Sequence, residues 1–89
     1  MKYKIQLTKK AKKDFLSLEK NDQKDIVKKL RFYISNGEPF KYTKKLKDYK
    51  DGNYRFRIGD YRAIFDIDNK GNITILIILR IKHRKEVYL

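Results

Sequence analysis

Residues 53–67, NYRFRIGDYRAIFDI, constrain this chain more than any other stretch. Tyr54, Phe56 and Ile58 alternate with Arg55 and Arg57, the period of a strand with one apolar face. Gly59-Asp60 follows as a two-residue turn, and glycine at its first position suits a type II′ hairpin. A loop of those two residues sets Ile58 against Tyr61, Arg57 against Arg62, Phe56 against Ala63 and Arg55 against Ile64. The apolar members mostly gather on one face and the arginines on the other. Two arginines directly opposite each other repel, a cost that an anion between them removes. The expectation is a face built to hold phosphate.

The chain has 89 residues, the size of one domain spanning 1–89. Such a length buries roughly 60–65% of the unfolded surface, enough for one modest core. The formal net charge is +13, which points to a polyanion or an acidic protein as partner. Lysine richness for solubility is the plainer alternative. With no cysteine there is no disulfide, thiol chemistry or cysteine–zinc site, which is compatible with the cytoplasm. Met1-Lys2-Tyr3-Lys4 opens an alternating segment and not the apolar block of a signal peptide. The longest apolar run, 75–79, is far too short to cross a membrane, so no membrane role is expected. No carboxylate pair or metal-ligand cluster stands out, and neither metal nor cofactor is expected.

Residues 4–7 read as a strand with Tyr3, Ile5 and Leu7 on one face. Thr8 is an N-cap for a helix to about residue 18, whose stripe is Ala11, Phe15 and Leu18. Lys9, Lys10, Lys12 and Lys13 crowd its first turns, where positive charge opposes the macrodipole; they read either as attraction for an acidic partner or as a solvated face. Asn21 or Asp22 caps a second helix to about residue 36, with Ile26, Leu30 and Ile34 inward and Val27 and Tyr33 beside them. Asn36-Gly37 and Pro39 end it. An antiparallel helical pair on one sheet face is the economical packing. Residues 40–52 read as a basic loop anchored by Leu46 and Tyr49. Its Lys44, Lys45 and Lys47 are candidate RNA contacts, interspersed with tyrosines suited to stacking.

A turn within 68–72 leads to a strand over 73–81, apolar on both faces as a covered central strand is. Its register is open. A five-residue turn sets Phe65 against Ile75 and Arg62 against Ile78 and puts Arg80 on the arginine face; a two-residue turn sends Arg80 the other way. The expected fold is α+β, a mainly antiparallel sheet of about four strands with an N-terminal helical pair, in the order β-α-α-β-β-β. The tail Arg80-Ile81-Lys82-His83-Arg84-Lys85-Glu86-Val87-Tyr88-Leu89 brings the sole histidine out of that strand among cations. Val87 and Leu89 are placed to dock the end on the core.

In this order these elements resemble the RelE-type toxins of bacterial and archaeal toxin–antitoxin systems, members of the RelE/ParE superfamily. The resemblance spans nearly the whole chain. It is carried by Tyr54-Arg55-Phe56-Arg57 with Gly59-Asp60-Tyr61-Arg62 and by His83-Arg84-Lys85-Glu86-Val87-Tyr88. It implies a compact fold similar to microbial ribonucleases and cleavage of messenger RNA, in many members only in the A site of a 70S-type ribosome. It also implies inhibition by a co-expressed RelB-like antitoxin whose chain wraps the toxin, with the free toxin a monomer. By position, Arg55 and Arg57 match the family's basic pair before the turn and Arg62 the arginine after it. Lys82, His83 and Arg84 cover the basic cluster after the last strand, and Tyr88 matches the near-terminal tyrosine. The strand pair is often lysine elsewhere and is arginine here. Family members differ in which tail residue acts, so the share of Lys82, His83 and Arg84 is open. The extra C-terminal helix that some members carry is not expected here.

RNA is cut without metal when its 2′-OH attacks the adjacent phosphate; the enzyme aligns the attack, neutralises charge and moves two protons. Arginine is planar, bidentate and permanently charged, which suits neutralisation and makes it a poor base. Arg57 and Arg62 are therefore expected to clamp the scissile phosphate, with Arg55 on a neighbouring phosphate or base and Arg80 and Lys82 adding RNA contacts. His83 alone titrates near neutrality when unperturbed, so it is the best acid or base. Arg84 adds charge, and Tyr88 stacks on a base or shares the proton transfer. Asp66, on the arginine face, reads as a charge partner. Three rivals remain: a ParE-type toxin, which shares the architecture and inhibits DNA gyrase, an RNA- or ribosome-binding module without catalysis, and a structural domain whose arginines merely bond an acidic partner.

Overall fold

The computed structural model describes residues 2–47, 49–50 and 52–87. Its strands are β1 (Lys2–Leu7), β2 (Thr43–Lys45), β3 (Tyr54–Ile58), β4 (Tyr61–Lys70) and β5 (Ile73–His83). Helices α1 (Lys9–Leu16) and α2 (Lys20–Ser35) follow β1, a 3₁₀ turn covers Pro39–Tyr42, and a single turn α3 (Arg84–Val87) ends the described chain. The sheet order is β1-β5-β4-β3-β2, with β1 parallel to β5 and the other pairings antiparallel. The class is α+β, as expected, but the sheet has five strands. The additional one is β2, inside the stretch read as a loop. Three edge residues, two of them lysine, carry no hydrophobic alternation to betray a strand.

The β3–β4 hairpin has the expected register in every pair, and Gly59 takes the positive φ, +58°, that the tight turn demands. The β4–β5 connection corrects the five-residue alternative. Gly71, at φ +62°, and Asn72 form a two-residue turn between Lys70 and Ile73, so Phe65 faces Ile78. One pair further the register shifts: Ile64 faces Arg80, leaving Leu79 as an extra residue on β5. This β-bulge reverses the parity of the strand beyond it. Arg80 and Lys82 therefore lie on the arginine face despite the short turn.

Helix α1 holds that bulge. Its N-cap Thr8 donates from backbone N–H to Ile78 O (3.0 Å) and from the hydroxyl to Leu79 O (3.1 Å), and also accepts from Ala11 N–H. Toward its other end Asp14 accepts from Ile81 N–H at 3.0 Å. β1 stops opposite Ile78, so α1 satisfies the strand edge that β1 leaves open. α2 begins at Lys20 with Glu19 as N-cap, two to three residues before the expected cap. Asp22 instead sits in the first turn, where its charge suits the macrodipole.

The core lies between the helices and the inner sheet face. Ala11, Ile26, Leu30 and Tyr33 meet Phe56, Ile58, Ala63, Phe65, Leu76, Ile78 and Ile81. Through it runs a column of stacked rings: Tyr42–Tyr33 at 4.7 Å, Tyr33–Phe56 at 5.0 Å, Phe56–Phe65 at 4.5 Å and Phe65–Tyr54 at 5.6 Å. The Tyr33 hydroxyl donates to Arg57 O, tying α2 to β3. Val87 is nearly buried, as expected; Leu89 lies outside the described residues. No helix among the described residues is long and apolar enough to cross a membrane. Phe56 is wholly buried at the centre of the column. Phe56→Ala is expected to cost about 3–5 kcal/mol in urea unfolding, and a loss below about 1 kcal/mol would contradict this core.

Candidate active site

Direct cross-strand partners share a face, so the ladders define two rungs on the outer side of the sheet. One is Lys44, Arg55, Ile64 and Arg80; the next is Arg57, Arg62 and Lys82. Six of the cations singled out in the sequence are thus gathered. Lys45 alternates to the other side, and Lys47 follows β2 outside the ladder. Asp66 is on the arginine face but accepts Asn53 N–H at 2.8 Å, closing the 46–53 segment whose ends also meet through Leu46 N–H and Asn53 O.

Within the second rung the arginines differ. Arg57 is exposed. Arg62 is only 3% exposed. Its Nη1 donates to Gly59 O and Tyr61 O, each at 2.8 Å. The expected Arg57–Arg62 repulsion is therefore answered in part by turn carbonyls, and an anion is not the only relief. Tyr49, described among the loop residues, brings its ring to 5.9 Å from Lys82 Nζ, over the same face.

The tail docks on the turn. Arg84 N–H donates to Asp60 O at 2.7 Å, and Arg84 Nε lies 3.6 Å from Asp60 Oδ1. His83 caps α3: its Nδ1 accepts from Lys85 N–H and its own N–H donates to Glu86 Oε1, both at 3.2 Å. That is the reciprocal arrangement of a capping box. The tail is thus not wholly without helix. An Nδ1 that accepts leaves the ring proton on Nε2. By register His83 pairs with Tyr61, on the helix-bearing side and not with the arginines; the two rings meet edge to face at 5.5 Å. Tyr88 lies outside the described residues. Among the described residues no three His, Asp or Glu side chains gather as metal ligands.

Residues 5–88 match the family model described as the ParE toxin of the type II toxin–antitoxin system, parDE. The chain is 30% identical over 88 residues to the toxin RelG of Mycobacterium tuberculosis, covering 99% of this chain and 98% of that one. Its fold is similar to the RelBE2 toxin–antitoxin complex of M. tuberculosis, with TM-score 0.71 and 26% identity over 94% of this chain and 93% of that one. It is also similar to the archaeal RelE–RelB complex of Pyrococcus horikoshii, with TM-score 0.65 and 27% identity over 94% and 97%.

The chain belongs to the RelE/ParE superfamily of type II toxins.

In this RelE/ParE toxin the residue that sequence reasoning missed is Asp14. It is the one acid in the lysine-rich run 9–18, which is its only signal. Arg80 donates to it from Nε at 2.8 Å and from Nη2 at 3.1 Å. Burial acts to raise the Asp14 carboxyl, but the Arg80 hydrogen bonds, the Ile81 N–H and the charges of Arg80 and Lys82 outweigh it and hold the group below its ordinary value. A second acid matters at the tail: Asp22 accepts from the Tyr61 hydroxyl at 3.2 Å. Burial first, and then Asp22, pushes the Tyr61 phenol up.

A carboxyl depressed by folding stabilises the fold above its unfolded pKa, about 3.9, and that contribution is lost as pH falls through the lower folded value. Asp14→Asn is therefore expected to lower stability at pH 7 by about 1.5–3 kcal/mol and to flatten the acid side of the stability–pH curve. Urea unfolding of both proteins between pH 7 and 2 measures it; parallel curves would show that the Asp14 charge does not hold the bulge.

Proposed function

We propose that this toxin is an mRNA endoribonuclease that cuts in the ribosomal A site and so blocks translation. The supporting observation is the Arg57–Arg62–Lys82 rung beside a tail held against the Gly59–Asp60 turn. Arg57 and Lys82 take the scissile phosphate as charge develops on it. Arg62, lodged under the turn, sets its shape and adds positive field. Arg55, Arg80 and Lys44 extend the contact to neighbouring phosphates, and Lys45 and Lys47 flank it. The 2′-hydroxyl gives its proton to water as its oxygen attacks phosphorus, and the bond to the 5′-oxygen breaks, leaving a 2′,3′-cyclic phosphate and a 5′-hydroxyl. In the doubly protonated form, in which Nδ1 lets go of the Lys85 N–H, His83 gives its Nε2 proton to the departing 5′-oxygen and is left neutral. Because His83 and the arginines lie on opposite sides of the β4–β5 ladder, the strand of RNA wraps the end of the sheet at the turn. Arg84 and Tyr88 complete the tail's share, Tyr88 by stacking or proton transfer.

In this reading the chain is a single domain, a monomer when free, acting in the cytoplasm. Among the solved neighbours are RelE–RelB complexes, which supports a RelB-like antitoxin as its cognate partner. A second reading, a ParE-type inhibitor of DNA gyrase, is favoured by the description of the matched family model and by an Arg62 already engaged with carbonyls.

Primer extension on transcripts, with and without translating ribosomes, tests the activity, and gyrase supercoiling tests the rival. Arg57→Ala, at an exposed position, is expected to keep the fold and lower cleavage by at least about a hundredfold. Undiminished cutting, or inhibited gyrase with uncut transcripts, overturns the reading. Asparagine at position 83 keeps a side-chain acceptor for the α3 cap and removes the imidazole. His83→Asn is expected to lower single-turnover cleavage by about 10²–10⁴-fold; full retention would leave His83 as a cap alone.

A further inference from the structure

The outer face continues past the arginine rungs into a groove of about 530 Å³ between the start of α1 and Tyr49, Lys50, Gly52 and Asn53. Lys9, Lys10, Tyr49, Lys50, Asp66 and Arg80 are among its walls. Four of these six are cations, and one oxygen of the acid already accepts Asn53 N–H. Gly52 lets the chain lie against the sheet: a Cβ there would stand 2.7 Å from Ile64 Cγ2 and 3.0 Å from Leu79 Cδ1. Tyr49 belongs both to the groove and to the neighbourhood of Lys82, so the groove runs directly into the Arg57–Arg62–Lys82 rung. Lys9 and Lys10 fill the first turn of α1, which has no acidic residue. Helix stability does not ask for cations there; an anionic ligand does.

We propose that this groove is a second binding site, for the backbone of single-stranded RNA flanking the nucleotide that is cut. Lys9, Lys10 and Lys50 hold successive phosphates, and the Tyr49 ring takes one base by stacking. An aromatic surface set among cations fits a nucleotide strand, in which flat bases and phosphates alternate. An acidic peptide would use the cations and leave the ring without a matching group. The site extends the nuclease reading by giving the enzyme contact outside the scissile linkage, which selects a strand over an isolated dinucleotide.

The test is fluorescence anisotropy of the full chain with 2′-O-methyl RNA of three and of twelve nucleotides, across a salt series, with an acidic peptide as competitor. Lys9→Ala/Lys10→Ala and, separately, Tyr49→Ala are compared with the parent, folding being checked by circular dichroism. The long RNA is expected to bind more tightly than the short one. The lysine double variant is expected to lose about tenfold on the long RNA, with the salt slope falling by about 1.4, as two phosphate contacts on a single strand imply. Tyr49→Ala is expected to weaken the long RNA with the salt slope unchanged, and neither variant to alter binding of the short one. Equal losses on both lengths, no loss on either, no binding of the long RNA by the parent, or a groove that takes only the acidic peptide each overturn the proposal. A parent that shows the length-dependent losses yet leaves transcripts uncut overturns the nuclease reading alone. One that cuts RNA while the variants bind as it does overturns the groove alone.

Discussion

The clamp that α1 places on β5 is the interaction on which the outer face depends. Leu79 is an extra residue in the β4–β5 ladder, and an extra residue turns every later side chain over. Without it Arg80 and Lys82 would point into the core and Ile81 out of it. With it, Ile78 and Ile81 both face the helices, and the two cations join Arg55, Arg57 and Arg62. A bulge leaves backbone groups unpaired, and here α1 takes them up: Thr8 at Ile78 O and Leu79 O, Asp14 at Ile81 N–H. Asp14 also grips the Arg80 guanidinium, so one carboxylate fixes both the backbone irregularity and the first cation beyond it.

The Gly59–Asp60 turn plays the matching part at the other end of the sheet. Its carbonyls hold Arg62 from one side and the tail from the other, through Gly59 O and Asp60 O respectively. The Arg62 guanidinium thereby becomes part of the scaffold that presents Arg57, which stays exposed. The charge of a cluster of cations is costly when compact; distributing it between carbonyls, one carboxylate and solvent keeps the face positive without forcing the groups apart.

The parts of the fold legible in the sequence are those set by local pattern. The hairpin could be read pair by pair because strand period and turn chemistry agree over residues 53–67. Both main helices could be read from their stripes, with Thr8 found as the N-cap because its hydroxyl is followed by helical spacing. The bulge was not legible, because it depends on Thr8 and Asp14 contacting residues far along the chain. The side on which His83 falls follows from that bulge and was hidden with it. β2 was missed because a short lysine-bearing edge strand has no apolar face of its own. Of the candidate site, the outward placement of Arg55, Arg57 and Arg62 was readable from parity. Parity does not tell that the Arg62 side chain curls back to Gly59 and Tyr61 carbonyls, which only the turn conformation decides.

The most direct measurement is a side-chain NMR titration of the protein, labelled at arginine and lysine nitrogens, with a non-cleavable 2′-deoxy-substituted RNA. If the outer face is the phosphate-binding surface, the signals of Arg57, Arg80, Lys82 and Lys44 shift together with one saturation curve while those of Lys28 and Lys29 on α2 stay in place. Shifts confined to α2, or none among the outer-face cations at saturating RNA, would contradict the account.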